Sequence, residues 1–295
     1  PRRRHEHDAA AHPRSRRGMV PAGVTTGSST PTSPVTQREV TALRRAARSR
    51  ALSRAPVPFA GSVDDAIVGE APVRRYRPAR AAAGPENPHH VTVFLHGGFG
   101  VFGDLDLQDG WCRRLADGLG DEVVSVDYPL APEHFLGESV SAVSEVAAAL
   151  EPSRPVVLCG DSAGAALALA ASPQLARSCD ALVLTNPNID LSLGRFDHHA
   201  PDGPDRDLSA RAFAAWTHGW TQSTDFVTSA AALPPTFVAV GRRDAVLREA
   251  RDLAAGLQLA GQRHELAEYD AGHGFLGDDA VTRDVIFRVR RFLGR

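Results

Sequence analysis

Gly160-Asp161-Ser162-Ala163-Gly164 sets a serine between flanking glycines, directly after the apolar run Pro155–Cys159 and directly before an Ala-rich stretch. A serine becomes a usable nucleophile when a sharp strand-to-helix turn exposes its Oγ, and glycines let neighbouring backbone approach that turn. The helix N-terminus behind it favours the negative charge that develops in acyl transfer. A tight turn of this composition also occurs without chemistry, so the reading depends on partners elsewhere in the chain.

Those partners follow in order. His96-Gly97-Gly98-Phe99 comes just after the apolar run Val91–Leu95. A Gly-rich loop after an early strand aims backbone N–H groups at a developing oxyanion; the expected donors are the amides of Gly98, Phe99 and Ala163. Gly241-Arg242-Arg243-Asp244 follows the run Thr236–Val240, and Asp270-Ala271-Gly272-His273 follows Glu265–Tyr269. Both loops fall at the C-terminal ends of strands, the edge at which the serine turn opens. His273 is the expected base, and Asp244 the carboxylate that fixes its tautomer and stabilises the imidazolium. Asp270 is the rival acid, but it precedes His273 by three residues on one loop, a poor angle for orienting the ring. His96, Gly97, Gly160, Asp161 and Gly164 are the expected supports of the two loops.

Positioning these groups takes an alternation of strands and helices. The runs Val91–Leu95, Glu122–Tyr128, Pro155–Cys159, Ala181–Leu184 and Thr236–Val240 read as buried strands, with a last strand at Glu265–Tyr269. Helical patterns fall near 107–119, 138–150, 162–171, 245–260 and 279–293. Such alternation predicts an α/β fold, a mostly parallel sheet with helices on both faces. Residues 36–54 form a further helical segment, and 188–232 interrupt the rhythm with an Asp-, Pro- and His-rich insertion holding one helical patch, Leu208–Trp220. Together these two segments would make a lid or cap on a single domain spanning 36–295. No internal repeat is present.

Composition narrows the class. Of 295 residues, 43% are hydrophobic and 23% charged, as in ordinary globular proteins. The net charge of −2 is uneven: residues 1–54 hold 12 Arg against Glu6, Asp8 and Glu39, a balance of +9, leaving −11 on the rest. No nucleic-acid motif accompanies the basic segment, so residues 1–35 read as a solvated, disordered tail with no nucleic-acid partner. All 33 basic residues are Arg and the one Met is Met19, so residues 1–18 are set aside from the fold reasoning. No apolar run reaches the ~18 residues of a membrane span. Cys112, Cys159 and Cys179 are odd in number and lie outside any metal-ligand spacing; Cys112 and Cys159 read as buried free thiols, and a reducing cytoplasm fits best.

Several ordered blocks resemble the hormone-sensitive-lipase-like family of bacterial esterases and acetyl-hydrolases. These are HGGFGVFGDLDLQDGWCRR at 96–114, YPLAPEH at 128–134, GDSAG at 160–164, LPPTF at 233–237 and DAGHGF at 270–275. The resemblance spans roughly residues 60–293. It implies an eight-stranded α/β-hydrolase sheet, a small helical cap, and hydrolysis of a small-molecule carboxylic ester without metal or cofactor. A homodimer is compatible with it. The sequence departs from the family pattern in reading HGGF for HGGG, Pro129 for an Arg, and Ala165 for a Gly. These changes bear on substrate preference rather than on the Ser, Asp, His set. The same motifs would serve a short-chain esterase, an amidase or N-deacetylase, or a lyase; a non-catalytic receptor fits an intact triad poorly.

Overall fold

The computed structural model describes residues 33–79, 90–150, 154–175 and 178–295. Its strands are β1 (Ser62–Val68), β2 (Ala71–Arg77), β3 (Val91–Leu95), β4 (Glu122–Val126), β5 (Val156–Asp161), β6 (Cys179–Thr185), β7 (Thr236–Gly241) and β8 (His264–Tyr269). They form one sheet in the order β1-β2-β4-β3-β5-β6-β7-β8. From β4 to β8 every neighbouring pair is parallel, whereas β2 runs antiparallel to both β1 and β4.

The helices are α1 (Gln37–Ser53), α2 (Asp109–Leu119), α3 (Leu136–Ala149), α4 (Ala163–Ala171), α5 (Arg206–Trp216), α6 (Leu247–Leu259) and α7 (Asp279–Phe292). Successive strand residues face opposite sides, so the sheet feeds two cores. Val93, Leu95, Leu158 and Val238 pack with α3, α4 and α6 on one face. Phe94, Val157, Val183 and Phe237 pack with α2 and α7 on the other. This explains the near-continuous apolar runs: a parallel strand covered on both faces has no solvent side to alternate with.

Helix ends follow local chemistry. Thr36 caps α1 in a reciprocal pair with Glu39, while Asp205 and Asp278 cap α5 and α7. Gly120, at φ 72°, ends α2 in the left-handed region. α4 is the exception in composition: all nine residues, AGAALALAA, are buried. Small side chains are what let it lie against the sheet; a Cβ on Gly164 would come within 2.1 Å of the Leu95 carbonyl oxygen.

Some boundaries differ from the sequence reading. Strand β4 stops at Val126 rather than Tyr128, and α5 spans Arg206–Trp216 rather than Leu208–Trp220. The β1–β2 hairpin had no counterpart in the apolar pattern. It turns at Gly69, φ 60°, and is laced by charge, with Asp65 directly opposite Arg74. The expected tail falls mostly on residues 1–32, which lie outside the described residues; Val35, at its end, is buried in the core. Among the described residues no helix is long and apolar enough to cross a membrane.

Candidate active site

Strand order fixes where the chemistry gathers. After β3 the chain adds β4 on one side and then β5 on the other, so the loops leaving β3 and β5 diverge at the C-terminal edge, where a crevice opens. Leu95 and Gly160 are paired across these strands, which brings His96-Gly97 beside Asp161-Ser162. Asp244 lies just past β7 and His273 just past β8, on the same edge.

Ser162 sits between β5 and α4 at φ 54°, ψ −116°. A non-glycine residue at such angles is strained, and the cost of order 1–3 kcal/mol must be met by the surrounding fold. The strain has a local cause. A Cβ on Gly160 would meet the Gly164 carbonyl oxygen at 2.3 Å, so the turn closes only around glycine. The Ser162 N–H donates to the Thr185 carbonyl, and its carbonyl accepts from Ala165 and Asn188.

His273 stands between Ser162 and Asp244. Its Nε2 is 3.0 Å from Ser162 Oγ, and its Nδ1 is 2.8 Å from Asp244 Oδ2. Asp244 is 1% exposed, and its other oxygen accepts the Val246 N–H. Burial by itself would lower the His273 pKa, but the hydrogen bond and charge of Asp244, with Asp161 and Glu249 farther off, raise it above its ordinary value. Asp270 is elsewhere: its side chain is 83% exposed and paired with Arg243.

The loop after β3 is left-handed at consecutive positions, with Gly98 at φ 130°, Phe99 at φ 57° and Gly100 at φ 73°. The N–H groups of Gly98, Phe99 and Ala163 have no acceptor among the described residues. Three free amides beside a serine suit a developing oxyanion. The Gly97 N–H is instead held by Gln108 Oε1 at 3.0 Å. Gln108 Nε2 donates to Asp161 Oδ2, whose partner oxygen accepts from Thr185 Oγ1 at 2.7 Å. Burial raises the Asp161 pKa, against these donors. His96 is fully buried, stacks on Tyr128 at 4.4 Å, and is pushed down to about 4 by burial. It is therefore a neutral prop at working pH.

Three supporting side chains had no signal in the motifs: Gln108, Asn188 and Glu249. Asn188 Oδ1 is 3.1 Å from Ser162 Oγ, a second neighbour for the nucleophile. Glu249, in the first turn of α6, accepts the N–H groups of Ile189 and Asp190 and so fixes the backbone that carries Asn188. Burial pushes it up to about 7 despite those donors. A charged residue on the apolar stripe Ala250, Leu253, Leu257 was the available clue. Phe99 is braced edge-on by Phe102 and by Phe213 of α5, so the 188–232 insertion touches the donor loop.

A cavity of about 730 Å³ opens over Ser162 and His273, lined further by Gly98, Phe99, Gln108 and the last turn of α1. Its volume suits a small organic molecule. Among the described residues no cluster of three or more His, Cys, Asp or Glu could hold a metal ion.

Comparison with known proteins bears on the fold and the family. A family model described as the alpha/beta hydrolase fold matches residues 92–277. Esterase LipI of Mycobacterium tuberculosis is 34% identical over 267 residues, covering 80% of this chain and 81% of that protein. An esterase of Acinetobacter venetianus is 31% identical over 178 residues, covering 55% of this chain and 59% of that one. A crystal structure of an esterase from the bacterial hormone-sensitive lipase family superimposes with a TM-score of 0.76 at 24% identity, covering 88% of this chain and 92% of the other. The chain belongs to the α/β-hydrolase fold family and resembles its hormone-sensitive-lipase-like esterases.

Proposed function

We propose that the protein is a serine carboxylesterase that hydrolyses small-molecule esters with short acyl groups, with Ser162, His273 and Asp244 as its catalytic residues. The observation that carries the reading is His273 held between a hydroxyl at 3.0 Å and a buried carboxylate at 2.8 Å. Ser162 Oγ attacks the ester carbonyl carbon while its proton passes to His273 Nε2. The carbonyl oxygen becomes an oxyanion held by the amides of Gly98, Phe99 and Ala163. Collapse breaks the ester bond, and the departing alkoxide takes the proton from His273. Water then attacks the acyl-serine through the same base, releasing the carboxylic acid and restoring Ser162. Relatives named esterases at 31–34% identity support the reaction class.

The preference for short acyl groups rests on Phe99, whose ring borders the cavity beside the donor loop. The proposed cap comprises α1 and residues 188–232, supported by the 2.7 Å pair of Glu39 on α1 with Arg211 on α5. The three cysteines are buried and unpaired, which supports a reducing, cytoplasmic setting. A fluorophosphonate should label Ser162, and Ser162→Ala should stay folded while losing p-nitrophenyl acetate turnover by about 10⁴-fold or more. Labelling at another serine, or turnover surviving in Ser162→Ala, would overturn the assignment. Preference for p-nitroanilides over the matching esters would move the reading to an amidase.

A further inference from the structure

We infer that the cavity selects esters carrying an anionic group, a carboxylate, which Arg50 and Arg54 receive; this substrate class rests on the esterase reading. The argument begins with how each guanidinium lining the cavity is matched. Arg74 pairs with Asp65 at 2.6 Å and Asp106 at 2.7 Å. Arg113 pairs with Asp109, and Arg114 with Asp279, each at 2.6 Å. Asp106 and Asp109, the carboxylates on that wall, are thus already engaged. Asp161, the remaining acid of the lining, is buried in its hydrogen-bond network with Gln108 and Thr185.

Arg50 and Arg54 stand apart. Both line the cavity from the C-terminal end of α1, Arg50 in its last turn and Arg54 as the extended residue that follows it. Among the described residues neither has a carboxylate within ion-pair distance. Arg54 Nη1 donates to the Leu107 carbonyl at 2.6 Å, which fixes its fork while leaving other N–H groups of the guanidinium available. Leu107 precedes Gln108, whose side chain bridges Gly97 and Asp161, the residues flanking the nucleophile turn. The Arg pair therefore faces the same space as Ser162, at its outer wall. Two guanidiniums there without a carboxylate partner match a carboxylate in charge, and either fork can hold one bidentately.

Matched ester pairs test this. p-Acetoxybenzoate against its methyl ester places the anion on the leaving group, and p-nitrophenyl hydrogen glutarate against p-nitrophenyl valerate places it on the acyl group. In at least one pair the anion should show about tenfold higher kcat/KM, a preference that falls as salt rises. Arg50→Gln/Arg54→Gln should abolish that preference. Arg50→Glu, which disturbs no side-chain contact seen in the structure and leaves the pair with no net charge, should remove it as well. A neutral preference in both pairs, or an anionic preference that the substitutions leave intact, would overturn the inference. Should none of the four esters be hydrolysed, the esterase reading fails and calorimetry with Ser162→Ala decides the inference alone. Tighter binding of the anionic members, lost when Arg50→Gln/Arg54→Gln is added, supports it; equal binding within each pair overturns it.

Discussion

The cavity has two walls that carry charge in opposite ways. Behind the wall formed by the loops after β5, β7 and β8, Asp244 is buried against His273 and the Val246 N–H, and Glu249 is buried with one carboxylate oxygen on the Ile189 and Asp190 N–H groups. On the wall formed by α1, β2 and α2, Arg50 and Arg54 are exposed with no carboxylate partner among the described residues, and the half-buried Arg74 pairs with the exposed side chains of Asp65 and Asp106. Removing one partner of a buried pair costs about 3–5 kcal/mol, because a charge is left without water or counter-charge. An exposed pair contributes about 0–1 kcal/mol. The first wall is thus built to fix protons and geometry, the second to sort what approaches.

The largest effect expected is the contrast between two acids near the same histidine. Asp244→Asn keeps the shape but presents an amide to His273 Nδ1, favouring the wrong tautomer, and should lower kcat by about 10⁴-fold. Asp270→Asn removes only an exposed partner of Arg243 and should change kcat less than about threefold. Steady-state kinetics on p-nitrophenyl acetate decides it. Comparable losses in both variants would erase the distinction between buried and exposed acids.

The same division governs how much the sequence discloses. Strands β3 to β7 are legible because burial on both faces makes them continuous apolar runs; Ser162 and Asp244 each follow such a run, whereas His273 follows the half-buried edge strand β8, HELAEY, and is marked by its order after them and by the DAGHGF block. The β1–β2 hairpin is not legible: its cross-strand partners are Asp64 with Arg75 and Asp65 with Arg74, so charge pairing stands where alternation would. Gln108 and Glu249 escape for a different reason. Gln108 acts on Asp161, 53 positions away, and Glu249 on Ile189, 60 positions away. Neither spacing means anything until the sheet edge brings them together. Phe99 is a third case, since a phenylalanine at φ 57° contradicts its own preference and is held there by Phe102 and Phe213.

That strained phenylalanine gives the next effect in size. Phe99→Gly keeps the amide donor and suits a positive φ without strain. It should retain acetyl ester turnover and extend activity to butyryl and octanoyl esters, because the ring that borders the cavity is gone. Phe99→Pro removes the N–H and demands a φ near −65°. It should lose about 10²–10³ in kcat/KM on every chain length, the range for one oxyanion donor. If a folded Phe99→Gly is as inactive as Phe99→Pro, the donors must be redrawn around Gly97 or Gly100.

The smallest effect isolates charge on the buried wall from geometry. In the proposed mechanism His273 is the base and must be neutral before attack, so kcat/KM should fall as pH drops through its pKa. Asp244, Asp161 and Glu249 raise that pKa, so the acid limb should begin above the ordinary value of 6.5. Glu249→Gln removes one negative charge but keeps an oxygen to accept the Ile189 and Asp190 N–H groups. Loss of a nearby anion makes protonation of His273 less favourable, so the limb should move to lower pH. The move should be smaller than any caused at Asp244, for two reasons. Glu249 has no hydrogen bond to the ring, and burial, with Asp190 and Asp244 nearby, pushes its own carboxyl up to about 7, so it carries less than a full charge near neutral pH. A kcat/KM profile from pH about 5 to 9 for wild type and Glu249→Gln reads this directly. A downward shift with the plateau kept assigns Glu249 an electrostatic part. An unmoved limb with a lowered plateau assigns it only the anchoring of the Asn188 backbone.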